Sequence, residues 1–448
     1  MIRTVLVANR GEIARRVFRA CRQLGLRTVA VYSEADQGAP HVRDADEAVA
    51  IGGAPARESY LNTDRILAAA RQARADAIHP GYGFLSESWR FADAVRQAGL
   101  VFVGPTPDAI RKMGDKIEAR RLMSAAGVPV LPGSFEPVAD VAGAEAAAQA
   151  VGFPVMLKAA AGGGGIGMAR VAGAGDLAAA FATAARRAQA AFGTGELYVE
   201  RYLERPRHVE VQVFGDASGT VVHLHERECS IQRRHQKLVE ESPAPGLPPA
   251  VKSGLTAAAV AGARAIAYTN AGTMEFLVDE SGGFYFLEMN ARLQVEHPVT
   301  EEVTGLDLVV AQLRVAGGEP LPWRQDEIPQ RRAAIECRVY AEDPSKGFLP
   351  SPGTLTKLEL PSGEGIRIES GVEAGTTVSV HYDPLLLKLV AHGATRAQAL
   401  ERMDRALATC VIEGPRTTIP FLRRIVASDE FRSGRVHTQL LEQGAFNG

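Results

Sequence analysis

The sequence predicts a mixed architecture, parallel α/β at the N-terminus and α+β beyond it. Three observations predict it. The first hundred residues alternate short apolar runs with stretches of helical spacing. The proline- and glycine-rich segment "GVPVLPGSFEP" reads as a linker that sets off a small unit at about 131–203. From about residue 204 onward, strand-like runs dominate.

The elements follow in chain order. "TVLVA" is a first short strand. "GEIARRVFRACRQLG" places Ile13, Val17, Ala20 and Leu24 on one helical face and stops at a glycine. "RTVAVY", "DAIHPGYG" and "VFVGP" read as further strands, each near a helical segment, which is the parallel α/β pattern. The first βα turn is "ANRGEIA". It lacks G-x-G-x-x-G, which argues against a nicotinamide or flavin oxidoreductase. One helix is expected over 107–126. In the small unit, helices at 140–150 and 175–191 accompany the strands "FPVMLKA", "GMARV" and "LYVER". Then come "HVEVQVF", "TVVHLHER", "GTMEFLVD", "FYFLEMNAR" and "AAIECRVYAE", with helices near 249–268 and 305–316. The chain closes on a strand-rich stretch at 354–392 and a helix at 395–408.

Bulk properties narrow the function classes. The chain has 448 residues and a formal net charge of −2, so no global field draws it to nucleic acid or an anionic membrane. No stretch has the length and apolarity of a signal peptide or a membrane span. Four scattered cysteines without C-x-x-C suggest neither a zinc site nor a disulfide framework, and fit a cytoplasmic location. Arginine outnumbers lysine by 42 to 8, which draws attention to Lys116, Lys158 and Lys237.

Five constellations could carry chemistry. "KAAAGGGGIGMAR" (158–170) lies between two strands, and Met168 and Ala169 stand where a P-loop needs Lys and Ser/Thr. A glycine-rich hairpin over phosphates, with Lys158 alongside, is the better reading. In "GTMEFLVDESGGFYFLEMNARLQVEHPVTE", a turn at Ser281–Gly282 sets Glu275 opposite Glu288. Two facing carboxylates destabilise a sheet unless a cation lies between them, so Glu275, Glu288 and Asn290 are candidate ligands for Mg²⁺ or Mn²⁺. Strict alternation puts Phe286, Glu288, Asn290 and Arg292 on one face. Arg292 and Glu296 could hold a small oxyanion and take its proton, though taken alone the pair reads more readily as a salt bridge. "RRHQK" (233–237) is a charge run that becomes a clamp beside a phosphate site. His208 shares a strand face with Glu210 and Gln212, whereas His223 and His225 make a weak zinc signal. "HPGYGFLSES" is a tight loop around Tyr82. Arg338, in mid-strand with Glu336 and Tyr340 on its face, needs an anionic partner.

Together these strings closely resemble biotin carboxylase, the ATP-grasp component of biotin-dependent carboxylases. The resemblance runs from "VLVANRGEIARRV" through "HPGYGFLSE", "ERYLERPRHVEVQV", "RECSIQRRHQKLVEESPAP" and "FLEMNARLQVEHPVTE" to "FLPSPG" and "YDPLLLKL". It implies a Rossmann-like N-terminal domain (1–112), an ATP-grasp domain (113–330) whose lid is about 131–203, and a β-rich C-terminal domain (331–448). It implies MgATP- and bicarbonate-dependent carboxylation of the biotin ureido nitrogen through carboxyphosphate, the first half-reaction of a biotin-dependent acyl-CoA carboxylase. Another ATP-grasp carboxylate ligase, or a non-catalytic nucleotide-binding subunit, is the competing reading.

Residue by residue, the resemblance assigns ATP contacts to Lys116, Lys158, Gly164, Gly165, His208 and His235. Glu200 to Leu203 would meet the adenine edge. Glu275, Glu288 and Asn290 would bind two metal ions. Bicarbonate would be held by Lys237, Arg292, Gln294 and Val295, with Glu296 as its base. Arg338 would stabilise the biotin enolate, and Tyr82 and Gly83 would line the biotin site. No "AMKM" attachment segment is present, so biotin is expected on a separate carrier protein, with a carboxyltransferase as second partner and a homodimer as the assembly. Ile166 departs from the pattern, since the family usually has Arg or Lys there. Ala291 and "TTIPFL" are smaller departures.

Overall fold

The computed structural model describes residues 2–160 and 167–446. Gly164, Gly165 and Ile166 lie outside the described residues. Five parallel strands form the N-terminal layer: β1 Thr4–Val7, β2 Arg27–Ser33, β3 Glu47–Gly52, β4 Ala77–His79 and β5 Val101–Phe102, in the order β3-β2-β1-β4-β5. The helix Gly11–Gln23 follows β1 and buries Ile13, Val17 and Ala20, the face its spacing marked. Strand order reverses beside β1, so the loops after β1 and β4 diverge from one crevice, where such sheets place ligands. There the Asn9 amide donates to the carbonyls of Pro80 (2.8 Å) and Tyr82 (2.7 Å). Gly81 has a positive φ, and a Cβ on it would meet Asn9 Nδ2 at 2.8 Å.

The helix expected over 107–126 is two helices, Pro107–Gly114 and Lys116–Ala125. Asp115 breaks it. Its carboxylate accepts from the Ile117 and Glu118 amides, and this cap starts a new helix at Lys116.

The small unit is an antiparallel sheet of β6 Val155–Ala159, β7 Ala169–Val171 and β8 Leu197–Arg201, ordered β7-β6-β8. The helices Val141–Val151 and Ala174–Phe192 cover it, and its core, including Leu157, Leu177 and Val199, is its own. The glycine run therefore joins two antiparallel strands, unlike a P-loop.

The largest layer has eight strands: β9 Arg207–Gly215, β10 Val221–Arg233, β11 Gln236–Ser242, β12 Asn270–Val278, β13 Phe284–Asn290, β14 Ala333–Tyr340, β15 Ile366–Ser370 and β16 Leu385–Gly393. Their order is β13-β12-β9-β10-β11-β14-β16-β15, so one sheet runs unbroken past residue 331. The helix Pro249–Ala265 packs on β9 and β10, and Arg396–Thr409 packs on β16. The helix His297–Thr304 has no sequence signal, because it is buried nearly all round and shows no polar stripe. Among the described residues, no helix is long and apolar enough to cross a membrane. The four cysteines are free and buried.

Candidate active site

A cavity of about 950 Å³ opens between the eight-stranded sheet, the small unit and the crevice loops. Tyr82 and Gly83 line one wall. Lys116, Lys158, Glu200 and Leu203 line another. The sheet supplies His208, Lys237, Glu275, Glu288, Asn290 and Arg338, the turn at 234–235 supplies His235, and the segment after β13 supplies Arg292, Gln294 and Val295. Of the described candidates only Glu296 is not part of the lining. It is fully buried behind Lys237 and Arg338.

The floor is a row of carboxylates. Glu275 pairs with Glu288 across β12 and β13, the pair the sequence predicts, and with Glu210 across β12 and β9. The expected alternation of β13 fails in one place. A bulge at Leu287 shifts the register, so Phe286 turns into the hydrophobic core while Leu287 lines the cavity. The carboxylates keep their face because the bulge lies before Glu288.

Lys237 organises this floor. Its ammonium lies 2.5 Å from Glu210, 2.8 Å from Glu275 and 2.6 Å from Glu296. "RRHQK" is thus no solvated charge run. It closes the β10–β11 hairpin through a two-residue turn, Arg234–His235, both at positive φ, and the strand beyond aims Lys237 inward. Each carboxylate has a second basic neighbour: Arg227 for Glu210 (2.6 Å), His208 for Glu275 (3.0 Å) and Arg338 for Glu296 (2.8 Å). Arg338 also holds Glu240 at 2.6 Å, which supplies the anionic partners its strand position requires.

These contacts set the proton affinities. Burial alone would raise Glu296, but Lys237, Arg338 and Arg227 outweigh it and hold its carboxyl well below the usual range. Glu275 is likewise lowered, with Lys237 and His208 overcoming burial. Burial and the Glu275 carboxylate raise Glu288, against Lys116 at 3.8 Å. Burial pushes Glu240 up to about 7 despite Arg338.

Glu288, facing the cavity beside Glu275 with Lys116 no nearer than 3.8 Å, fits a divalent ion: neutralising it would relieve the repulsion that raises it. Asn290 donates its amide to Glu275 (2.8 Å), and its oxygen accepts from Arg292 (2.7 Å), so the oxygen must turn to join such a set. Arg292 is anchored by Glu87 at 2.9 Å and also donates to Gln294 (3.0 Å). Its remaining partners are neutral amide oxygens that an anion could displace.

At the opposite end the cavity wall is apolar, with Leu131, Met156, Met168, Leu277 and Leu287, a surface suited to a flat base. Glu200 is spoken for. Arg120 and Lys158 both pair with its buried carboxylate, Lys158 at 2.5 Å. Contact with a base edge therefore falls to the backbone of 200–203. His223 and His225 meet edge-to-face away from the cavity, and among the described residues they join no third metal-ligating group.

Sequence reasoning assigned no role to Asn9, Glu12, Glu87, Arg120, Glu240 or Lys388, all of which hold site residues in place. Lys388 carried a signal, a lone lysine in "LLLKLVA".

Family models match three consecutive stretches: "Biotin carboxylase, N-terminal domain" over 1–110, "Carbamoyl-phosphate synthase L chain, ATP binding domain" over 115–324, and "Biotin carboxylase C-terminal domain" over 336–443. The chain is 52% identical over 443 residues to biotin carboxylase 2 of Bacillus subtilis (strain 168), covering 99% of this chain and 100% of that one. The biotin carboxylase–βγ-ATP complex from Campylobacter jejuni superposes with a TM-score of 0.96 at 46% identity, covering 99% of both chains. The biotin carboxylase domain dimer of Hydrogenobacter thermophilus 2-oxoglutarate carboxylase, solved with MgADP, ADP and bicarbonate, gives 0.95 at 46% identity, covering 99% and 98%.

Proposed function

The chain belongs to the biotin carboxylase family, and we propose that its cavity joins MgATP, bicarbonate and biotin in the residue roles set out here. It is an ATP-dependent ligase that carboxylates biotin. The observation that carries the roles is the burial of Glu296, whose two oxygens are held by Lys237 and Arg338, two of the cations that face the cavity.

The apolar wall and the 200–203 backbone receive the base, while Lys116, Lys158 and His208 face the phosphates. Glu275 and Glu288, with Asn290 turned, would hold the ions that arrive with ATP, which neutralise phosphate charge when bound. Phosphoryl transfer asks a protein mainly for positioning and charge compensation. Lys237, Arg292, Gln294 and the Val295 backbone hold bicarbonate. Its oxygen attacks the γ-phosphorus, ADP leaves, and the bicarbonate proton passes to Glu296.

In the ligand-free geometry Glu296 is a weak base, because two cations stabilise its anion. Bicarbonate engages Lys237, and the developing biotin oxyanion engages Arg338. The first takes a cation from Glu296 and raises its proton affinity when it must accept a proton; the second comes later, once the ureido proton has left. Carboxyphosphate then splits into CO₂ and phosphate, phosphate takes the ureido proton, and the nitrogen attacks CO₂. Closing the small unit over the cavity excludes water from the carboxyphosphate step.

Within a biotin-dependent carboxylase, the partners we propose are a separate biotin carrier protein and a carboxyltransferase, with a homodimer as the assembly and the cytoplasm as its location. The test is ATP hydrolysis. It should require bicarbonate and rise with free biotin; hydrolysis indifferent to both would refute the reading.

A further inference from the structure

Lys388, on β16, is fully buried, and its position is costly. Arg338 sits beside it on β14 and Glu369 on β15. A cation directly opposite another cation destabilises a sheet, and an apolar side chain of similar length would fill the same space without desolvating a charge. The ammonium makes two contacts that explain its presence. It lies 3.1 Å from Glu12 Oε1, in the first turn of the helix Gly11–Gln23, and it donates to the Val295 carbonyl at 2.8 Å. The same Glu12 oxygen accepts the Tyr82 hydroxyl, and the ammonium stands 5.8 Å from the centre of the Tyr82 ring.

One buried ion pair thus ties four segments together: β16, the helix Gly11–Gln23, the segment at Val295 and the loop at Tyr82. Val295 lies on the segment that holds bicarbonate and leads into Glu296. Tyr82 lies on the loop that lines the biotin end of the cavity. No other contact of the Glu12 carboxylate competes, since its second oxygen has no partner among the described residues.

We propose that Lys388 and Glu12 are positioning residues that set the separation of the bicarbonate and biotin subsites, a role that rests on the function proposed above. Neither touches a reacting atom. Lys388 fixes the peptide between Val295 and Glu296, Glu12 fixes Tyr82, and the bond between them couples the two placements. Small errors in such placements are expensive in rate and affinity.

The experiment compares Lys388→Met, Glu12→Gln and the double variant in the full-length enzyme, by thermal melting and by bicarbonate-dependent ATP hydrolysis with free biotin. Lys388→Met leaves Glu12 without a counter-charge and is expected to melt lower. The double variant removes both charges and should regain most of that stability. A positioning role predicts that the double variant nevertheless keeps KM values for bicarbonate and biotin raised about tenfold or more, with KM for ATP changed less than about twofold. Glu12→Gln, whose amide oxygen still accepts from Tyr82, should raise the bicarbonate KM more than the biotin KM. Recovery of both KM values together with stability would overturn the proposal, as would an equal rise for ATP. Absence of bicarbonate-dependent hydrolysis in the unsubstituted enzyme would overturn the functional reading itself, and the two failures are separate observations.

Discussion

Arg338 donates to Glu296 across 2.8 Å, joining strand β14 to the residue that begins the helix His297–Thr304. The same guanidinium grips Glu240, so Arg338 can release Glu296 without leaving its strand. That bond makes the proton affinity of the proposed base depend on where Arg338 is engaged.

The first prediction follows from it. With Arg338 in place, Glu296 is held well below the usual carboxylate range. Arg338→Gln removes a stabiliser of the anion, so the Glu296 pKa rises. The acid limb of bicarbonate-dependent ATP hydrolysis, measured without biotin, should therefore move to higher pH. A limb that stays in place would show that Lys237 and Arg227 set the proton affinity without Arg338.

Glu296→Ala separates binding from chemistry. Glu296 is not part of the cavity lining and contacts no proposed nucleotide residue except through Lys237. The variant should bind MgATP nearly normally in calorimetry while losing bicarbonate-dependent turnover, by roughly 10²–10⁴-fold for loss of a general base. Loss of nucleotide affinity instead would place Glu296 with the metal-binding carboxylates.

How much of this was legible in the sequence depends on distance along the chain. The Glu275–Glu288 pairing is the one the sequence predicts, and the register bears it out, but only through the bulge: next to the turn Val278 faces Phe284, a register that unbroken would set Glu275 opposite Leu287. The face of Phe286 does not follow, because a bulge at Leu287 overrides strict alternation and is fixed by packing of Phe286 in the core. Asp115 was present as a helix cap in the middle of an apparently continuous helical pattern, and its side-chain bonds to Ile117 and Glu118 decide the break. Lys158 was marked as a charge beside a phosphate-covering loop, and Arg338 as a mid-strand cation in need of an anionic partner. Their partners, Glu200 for one and Glu240 and Glu296 for the other, are brought to them only by tertiary folding. The same limit hid Glu12 and Lys388.

Stability should carry a pH signature from Glu241. It is buried on β11 against Arg396 at 2.6 Å, and burial pushes its pKa from 4.5 up to about 7. Between those values the native state binds a proton that the unfolded chain has lost, so this group's contribution favours folding at low pH and fades as pH rises through about 7. Glu241→Gln removes the effect. The difference in unfolding free energy, variant minus parent, should therefore increase between pH 5 and pH 7.5 in urea titrations, with a slope of at most about 1.4 kcal/mol per pH unit for the one proton linked. A difference independent of pH would mean that Glu241 is ionised throughout.

Lys237 offers the sharpest separation of folding from function. Removing it leaves Glu210, Glu275 and Glu296 clustered around an empty position, each with one remaining basic neighbour: Arg227, His208 and Arg338. Breaking a buried ion pair by deleting one partner costs about 3–5 kcal/mol, because the abandoned charge stays desolvated. Lys237→Met should therefore be markedly less stable. Adding Glu210→Gln removes the carboxylate that contacts neither bicarbonate nor nucleotide in the proposed roles, and it should return part of the lost stability in denaturant melts. Turnover should not return with it, since the ammonium is also the cation that bicarbonate must engage to loosen Glu296. If the double variant regained bicarbonate-dependent hydrolysis, Lys237 would be a structural counter-ion alone, and the holding of bicarbonate would pass to Arg292 and Gln294.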